Sequence, residues 1–138
     1  MNFINQEVFQ MNAVGIDVSK GKSTVTLLSP GDVVLMPPCD IPHTQSAINA
    51  LIEQIKSLDG ETKVCMEHTD RYEPIANWLS DAGISISAVS PTLIRDFGDD
   101  ALRTHKTNKA APKKVARYAL DRWAKLKQYE SIQKAISL

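Results

Sequence analysis

The sequence predicts one α/β domain built on a mixed β-sheet, and three observations support this. The first part of the chain carries three short apolar runs that are rich in β-branched residues and separated by turn signals. Two later apolar runs each follow a stretch with the 3.6-residue periodicity of an amphipathic helix. The length of 138 residues, of which 43% are hydrophobic and 23% charged, suits a single buried core.

Three strands are predicted in the opening part of the chain, at 13–18, 24–28 and 33–36. Turn-prone residues separate each strand from the next, and Pro37 and Pro38 are expected to end the third. Because these connections are too short to hold a helix, the three strands are expected to form an antiparallel meander.

Two helices and two further strands are predicted to follow. The first helix is expected to be capped by Thr44 and to end near Gly60, with one apolar face formed by Ala47, Ile48, Leu51, Ile52, Ile55 and Leu58. A strand at 63–67 precedes the second helix, for which Thr69 or Asp70 is the expected cap and Gly83 the expected stop. The fifth strand is predicted at 84–89.

The remaining chain is predicted to be a polar linker at 95–109 and a basic helix at 112–127, while residues 1–11 are expected to form a flexible tail. The predicted order is therefore β-β-β-α-β-α-β-α within one domain spanning 1–138. Right-handed crossovers would place the fourth and fifth strands parallel to the first. A mixed five-stranded sheet with this order is typical of a ribonuclease H-like fold.

Charge is distributed unevenly along the chain. The 16 basic and 16 acidic residues give a formal net charge of zero, which by itself would argue against a nucleic-acid partner. However, residues 1–100 hold 6 Lys and Arg against 14 Asp and Glu, and residues 101–138 hold 10 against 2, so the two parts carry −8 and +8. The basic part indicates a nucleic-acid-binding surface, and a solvated helix that pairs with the acidic body is the alternative.

Several classes of protein do not fit the sequence. No apolar run approaches the roughly 20 residues that a membrane span requires, and residues 1–10 lack the basic and apolar regions of a secretory signal. Cys39 and Cys65 do not have the spacing of a disulfide framework or a zinc site. We therefore expect a cytoplasmic protein that does not contact the membrane.

Two carboxylates are candidates for metal binding. Asp17 interrupts an apolar strand, where a charge is costly unless something binds it, and Glu67 ends the fourth strand. If these strands are neighbours, both side chains could lie at one end of the sheet and offer oxygen ligands to Mg²⁺. Two metal ions held in this way are an established arrangement for phosphodiester chemistry. In the alternative interpretation, Asp17 caps a turn and Glu67 is solvated at the sheet edge.

The motifs around these carboxylates resemble a known family, the DEDD transposases of the insertion-sequence one-ten family, which includes the Piv-type DNA invertases. The resemblance extends from Met11 to about Tyr129. The motifs that carry it are Gly15-Ile16-Asp17-Val18-Ser19-Lys20, Met66-Glu67-His68-Thr69, Arg71-Tyr72, Pro91 to Arg95, Lys106-Thr107 and Ala116-Arg117-Tyr118-Ala119.

The resemblance implies a RuvC-like domain in which four carboxylates bind Mg²⁺ or Mn²⁺ for DNA strand cleavage and exchange. It also implies a separate domain with a serine nucleophile and, in some members, a guide RNA. The family's first aspartate corresponds to Asp17, its glutamate to Glu67, and its last two aspartates to Asn108 and Ala111. Two of the four catalytic positions are therefore replaced, and metal binding by the other two is expected to be weakened.

Other departures from the family pattern also imply that the catalytic site is impaired. Pro112 follows the replaced positions and would break a helix already running through Asn108. Asp70 stands where the family usually has glycine, and the chain ends at Leu138 without the serine domain. The resemblance thus implies a truncated or disabled catalytic domain. Asp96, Asp99 and Asp100 are the alternative carboxylates, but they are disfavoured because they lie on the far side of the linker.

The resemblance also places nucleic acid beside the last helix. Phosphate contacts are expected from Lys106, Lys109, Lys113, Lys114 and Arg117. The leading hypothesis is a domain associated with DNA transposition or site-specific recombination that binds DNA and does not cleave it alone. One alternative is a stand-alone regulator that binds DNA, guide RNA, an intact transposase or a second copy of itself. Another is an actin-like ATPase, whose fold also opens with a Gly-Ile-Asp strand.

Overall fold

The computed structural model describes residues 10–97 and 111–130. The strands are β1 (Met11–Val18), β2 (Lys22–Ser29), β3 (Val33–Pro42), β4 (Glu61–Glu67) and β5 (Ile86–Val89). The helices are α1 (Gln45–Lys56), α2 (Glu73–Asp81), α3 (Pro91–Arg95) and α4 (Pro112–Asp121), with a 3₁₀ turn at Trp123–Lys125.

The five strands form one mixed sheet in the order β3-β2-β1-β4-β5. β1 pairs antiparallel with β2, which pairs antiparallel with β3, as expected for a meander with short connections. β4 and β5 run parallel to β1 because α1 and α2 form the crossover connections. The predicted α/β fold class and the predicted parallel orientation of the fourth and fifth strands to the first are confirmed.

Side chains that alternate along the strands form two cores. On one face, the strand residues Val14, Ile16 and Met66 pack with the buried stripe of α1 and with α2. On the other face, residues that include Ala13 and Cys65 pack with α3 and α4. Successive residues of a strand point to opposite faces of the sheet, so neighbouring residues of β1 and β4 face different cores.

The structure differs from the sequence predictions at β3. Pro37 and Pro38 were expected to end this strand, but it continues to Pro42. β3 is the outer strand beside β2, and a proline that lacks an N–H group is tolerated on such a strand. β5 also begins at Ile86, two residues later than predicted.

The elements after β5 differ as well. The short helix α3 was not predicted; it begins at Pro91, and the Ser90 hydroxyl accepts a hydrogen bond from the backbone N–H of Thr92 at 3.2 Å. The basic helix ends at Asp121 rather than at 127. Met11, predicted to belong to a tail, is the first residue of β1.

The segment 126–130 runs past the outer edge of β5. The backbone N–H of Tyr129 donates a hydrogen bond to the carbonyl of Ile86, and its hydroxyl donates to Asn77 Oδ1 at 2.6 Å. Tyr129 packs on the α1–α2 core, whereas Leu126 packs on the α4 core. This segment therefore covers the β5 edge and contacts both cores.

Within 10–97 and 111–130, no helix is long and apolar enough to cross a membrane.

Candidate functional site

Asp17 and Glu67 lie side by side at one end of the sheet. Parallel pairing of β1 with β4 places Ile16 opposite Met66, and the next residue of each strand is Asp17 and Glu67. Ile16 and Met66 belong to the α1–α2 core, so both carboxylates belong to the opposite face, which carries α4. Both residues are half-buried, and adjacent strands lie about 4.8 Å apart.

The charge of Glu67 acts on the thiol of Cys65. Cys65 is fully buried on the α4 face, two residues before Glu67 on β4. Burial, and secondarily the nearby Glu67 carboxylate, raises the pKa of Cys65 to about 12. The thiol therefore stays protonated at neutral pH.

Gly15 lets the first turn of α4 rest directly on β1. A Cβ atom at this position would overlap the backbone carbonyl oxygen of Pro112 and lie 2.6 Å from the backbone nitrogen of Ala116. Only glycine permits this close approach. Since Gly15 and Asp17 lie on the same face of β1, α4 packs on the face of the sheet that carries Asp17.

Ala111, which the resemblance aligns with an acidic position of the family, is at the N-terminus of α4. Ala111 is the N-cap residue of α4, is exposed, and makes no capping hydrogen bond through its side chain. Asn108 lies outside the described residues, as do Asp99 and Asp100. Asp96 is described, and its exposed carboxylate lies 4.0 Å from the Arg95 guanidinium. Asp70 does not adopt a positive φ, so the glycine that the family usually has there is not required in this backbone.

The same sheet face carries a polar group that the sequence interpretation missed. Asp17 pairs with Thr24 of β2, and Thr24 pairs with Asp40 of β3. The Thr24 hydroxyl donates to Asp40 Oδ1 and the Lys22 ammonium donates to Asp40 Oδ2, both at 2.8 Å. Glu67, Asp17, Thr24 and Asp40 therefore form a row across four strands. The sequence alone does not reveal this row, because Pro37 and Pro38 predict an end of β3 before Asp40, whereas β3 continues to Pro42.

The predicted phosphate-binding residues divide between the two sides of α4. The Arg117 guanidinium donates two hydrogen bonds to the Asp32 carboxylate, at 2.9 and 3.1 Å, and these bonds lower the pKa of Asp32. The charge of Lys113 acts on the same carboxylate, whereas the Lys114 ammonium donates to the Arg95 carbonyl at 3.2 Å. Lys106 and Lys109 lie outside the described residues.

The donors of this site fit the family's metal arrangement only in part. Asp17 and Glu67 provide carboxylate oxygens, the ligands that Mg²⁺ and Mn²⁺ prefer, but the Ala111 methyl group provides none. Within the described ranges, no group of three or more His, Cys, Asp or Glu residues is placed to hold a metal ion. The four-carboxylate set is therefore not reproduced by these residues.

Comparison with known proteins identifies the family. The family model described as the DEDD transposase of the IS110 type matches residues 14–137. The chain belongs to this transposase family. The predicted resemblance is thereby confirmed, and the family match decides against the actin-like ATPase alternative.

Solved structures agree with the fold. The Thermus thermophilus RuvC structure has a TM-score of 0.56 at 12% identity, and the match covers 86% of this chain and 100% of RuvC. The T. thermophilus RuvC in complex with a Holliday junction substrate has a TM-score of 0.55 at 11% identity and coverage of 86% and 99%. A search of curated proteins finds no significant match. The transposase domain thus has a RuvC-like ribonuclease H fold, in families that generally use divalent metals.

Proposed function

We propose that this transposase domain binds DNA during DNA transposition or recombination and does not cleave DNA by itself. The observation that supports the proposal is Ala111 at the N-terminus of α4, the helix whose first turn rests on the strand that carries Asp17. Gly15 lets the first turn of α4 rest on β1, and the resemblance aligns Ala111, at the N-terminus of that helix, with an acidic position of the family. Two carboxylates give a divalent ion fewer charged ligands than four, which weakens its binding.

Two further observations support DNA as the partner. Lys113, Lys114 and Arg117 lie on α4, the helix that covers the carboxylate face. A solved RuvC, with the same fold at 11% identity, is in complex with a Holliday junction substrate. Phosphate contacts by Lys and Arg would make the affinity fall as the salt concentration rises.

Incubation with four-way-junction DNA and with element-end DNA tests both parts of the proposal. We expect binding that weakens with salt, measured by fluorescence anisotropy, and no nicking in Mg²⁺ or Mn²⁺, measured on denaturing gels. Metal-dependent nicking above the level of an Asp17→Asn control would overturn the inactivity. The absence of salt-dependent binding would overturn DNA as the partner.

A gain-of-function variant tests the assignment of the replaced positions. The triple variant Asn108→Asp, Ala111→Asp, Pro112→Ala is expected to bind Mg²⁺ more tightly than the wild type in isothermal titration calorimetry. The matched control is Asn108→Ser, Ala111→Ser, Pro112→Ala, which makes the same backbone change and also offers side-chain oxygens at the helix N-terminus but adds no carboxylate. Equal Mg²⁺ affinity of the two triple variants would contradict the assignment.

A further inference from the structure

We infer that Lys22 is a phosphate-binding residue of this site, with Asp40 as the counter-ion that holds its ammonium when no DNA is bound. The inference rests on the proposed DNA binding and extends the site from α4 to the opposite flank of the carboxylates. It adds β2 and β3 to the DNA-binding surface, which the sequence interpretation placed on and before the last helix.

The sheet register and the contact with Asp40 place the Lys22 ammonium about two strand spacings from Asp17. Asp17, Thr24 and Asp40 are cross-strand neighbours on one face, so Asp40 lies two strand spacings, about 10 Å, from Asp17. The Lys22 ammonium is 2.8 Å from Asp40 Oδ2. Measured along the duplex axis, about 10 Å corresponds to roughly three nucleotides of one strand. A strand with one phosphate near Asp17 can therefore bring another phosphate to Lys22.

The distribution of basic residues supports this role. Residues 1–100 contain six Lys and Arg residues, and two of them, Lys20 and Lys22, fall within five residues after Asp17. Glu67, Asp17 and Asp40 together repel a phosphate backbone, so a strand that crosses this face needs a positive charge next to them. Lys22 lies two residues before Thr24 on β2, and its ammonium reaches the carboxylate of Asp40 at the outer end of this row.

The ion pair between Lys22 and Asp40 is weak enough for Lys22 to exchange Asp40 for a phosphate. Their side chains are 53% and 55% exposed, and exposed ion pairs of this kind contribute about 0 to 1 kcal/mol. Asp40 also accepts a hydrogen bond from Thr24 through its other oxygen, so its orientation does not depend on Lys22. The ammonium can therefore move to a phosphate while the sheet keeps its structure.

The salt dependence of DNA binding tests the inference in the whole chain. We expect Lys22→Gln to reduce the slope of log Kd against log salt by about 0.9 on duplex-armed four-way-junction DNA, the value for one phosphate contact. Lys22→Arg, which keeps the charge, should retain the wild-type slope. Asp40→Asn, which removes the counter-ion, should bind at least as tightly as the wild type.

Lys56→Gln is the matched control, because it removes the same charge from an exposed position at the end of α1, on the opposite face of the sheet. Its slope should equal that of the wild type, and circular dichroism should show that every variant is folded. If the wild type binds with salt dependence and Lys22→Gln has the same slope as Lys56→Gln, the role of Lys22 is overturned while the proposed function stands. If the wild type shows no salt-dependent binding, both fail.

Discussion

Ser23 and His43 form a contact at the same end of the sheet as Asp17. The Ser23 hydroxyl lies 2.9 Å from His43 Nε2, and the His43 backbone N–H donates to the Gly21 carbonyl at 3.0 Å. Ser23 is buried and pairs with Val18 on the face that carries α1. This contact ties the chain after β3 to the turn between β1 and β2.

The free energy of unfolding should depend on pH through His43. Partial burial lowers the pKa of His43, so its neutral form is favoured in the folded state. The stabilisation is present above the unfolded-state pKa of about 6.5 and is lost as pH falls through the lower folded-state pKa. We expect the urea midpoint of the wild type to fall more between pH 7.5 and pH 5 than that of His43→Gln. Parallel pH profiles for the two proteins would contradict this.

The residue scale also shows what sequence alone can predict about the site. Asp17 and Glu67 were identifiable because each is a charge at an apolar strand, and the structure places them side by side. Lys22 and Asp40 were not identified, because their proximity depends on the β2–β3 register beyond Pro37. A charge in an apolar run is visible in the sequence, whereas a cross-strand neighbour requires the correct register.

At the scale of elements, the site depends on how α4 rests on β1. Gly15 provides the space for this contact, and the apolar residues Val115, Ala116 and Ala119 complete it. The two small alanines allow the helix to approach the strand closely. The contact therefore fixes position 111 relative to Asp17.

Gly15→Ala should destabilise the domain by about 1 to 3 kcal/mol or more, because the added methyl group overlaps backbone atoms of α4. The measurement is chemical denaturation followed by circular dichroism. Ala116→Gly should not rescue the variant, since the closest atoms are the Pro112 carbonyl oxygen and the Ala116 nitrogen rather than a side chain. Restored stability in the double variant would show that the conflict is between side chains.

The differences between predicted and observed elements have physical causes. The 3₁₀ turn at Trp123–Lys125 keeps Trp123 against the α4 core, so the apolar spacing continues although the α-helix ends at Asp121. The Lys63 ammonium lies over the Trp123 ring and donates to the Trp123 carbonyl at 2.9 Å. Periodicity identifies the buried face of such a segment but does not distinguish a helix from a following turn.

At the scale of the whole molecule, the two oppositely charged parts of the chain contact each other. Arg117, from the basic part, is held by Asp32, from the acidic part. For Arg117, the structure thus agrees with the alternative in which the basic helix pairs with the acidic body. Because both side chains are substantially exposed, this pair can be exchanged for contacts with phosphate.

The segment 126–130 should contribute to global stability through Tyr129. Tyr129→Phe removes the hydrogen bond to Asn77 but keeps the ring against Tyr72. It should therefore lower the free energy of unfolding by only about 1 kcal/mol, the contribution of one hydrogen bond. Tyr129→Ala also removes the ring contact and should cost more. Thermal denaturation measures both, and equal melting temperatures for the two variants would contradict a role for the ring.

Through Leu126 and Tyr129, the segment also affects how cooperatively the two helical layers open. Since Leu126 contacts the α4 core and Tyr129 the α1–α2 core, the segment joins the helices on opposite faces of the sheet without passing through it. Local opening on one face would pull the segment from the other, so amides in α2 and α4 should exchange with deuterium as one unit. A chain that detached this segment would allow the two layers to fluctuate separately.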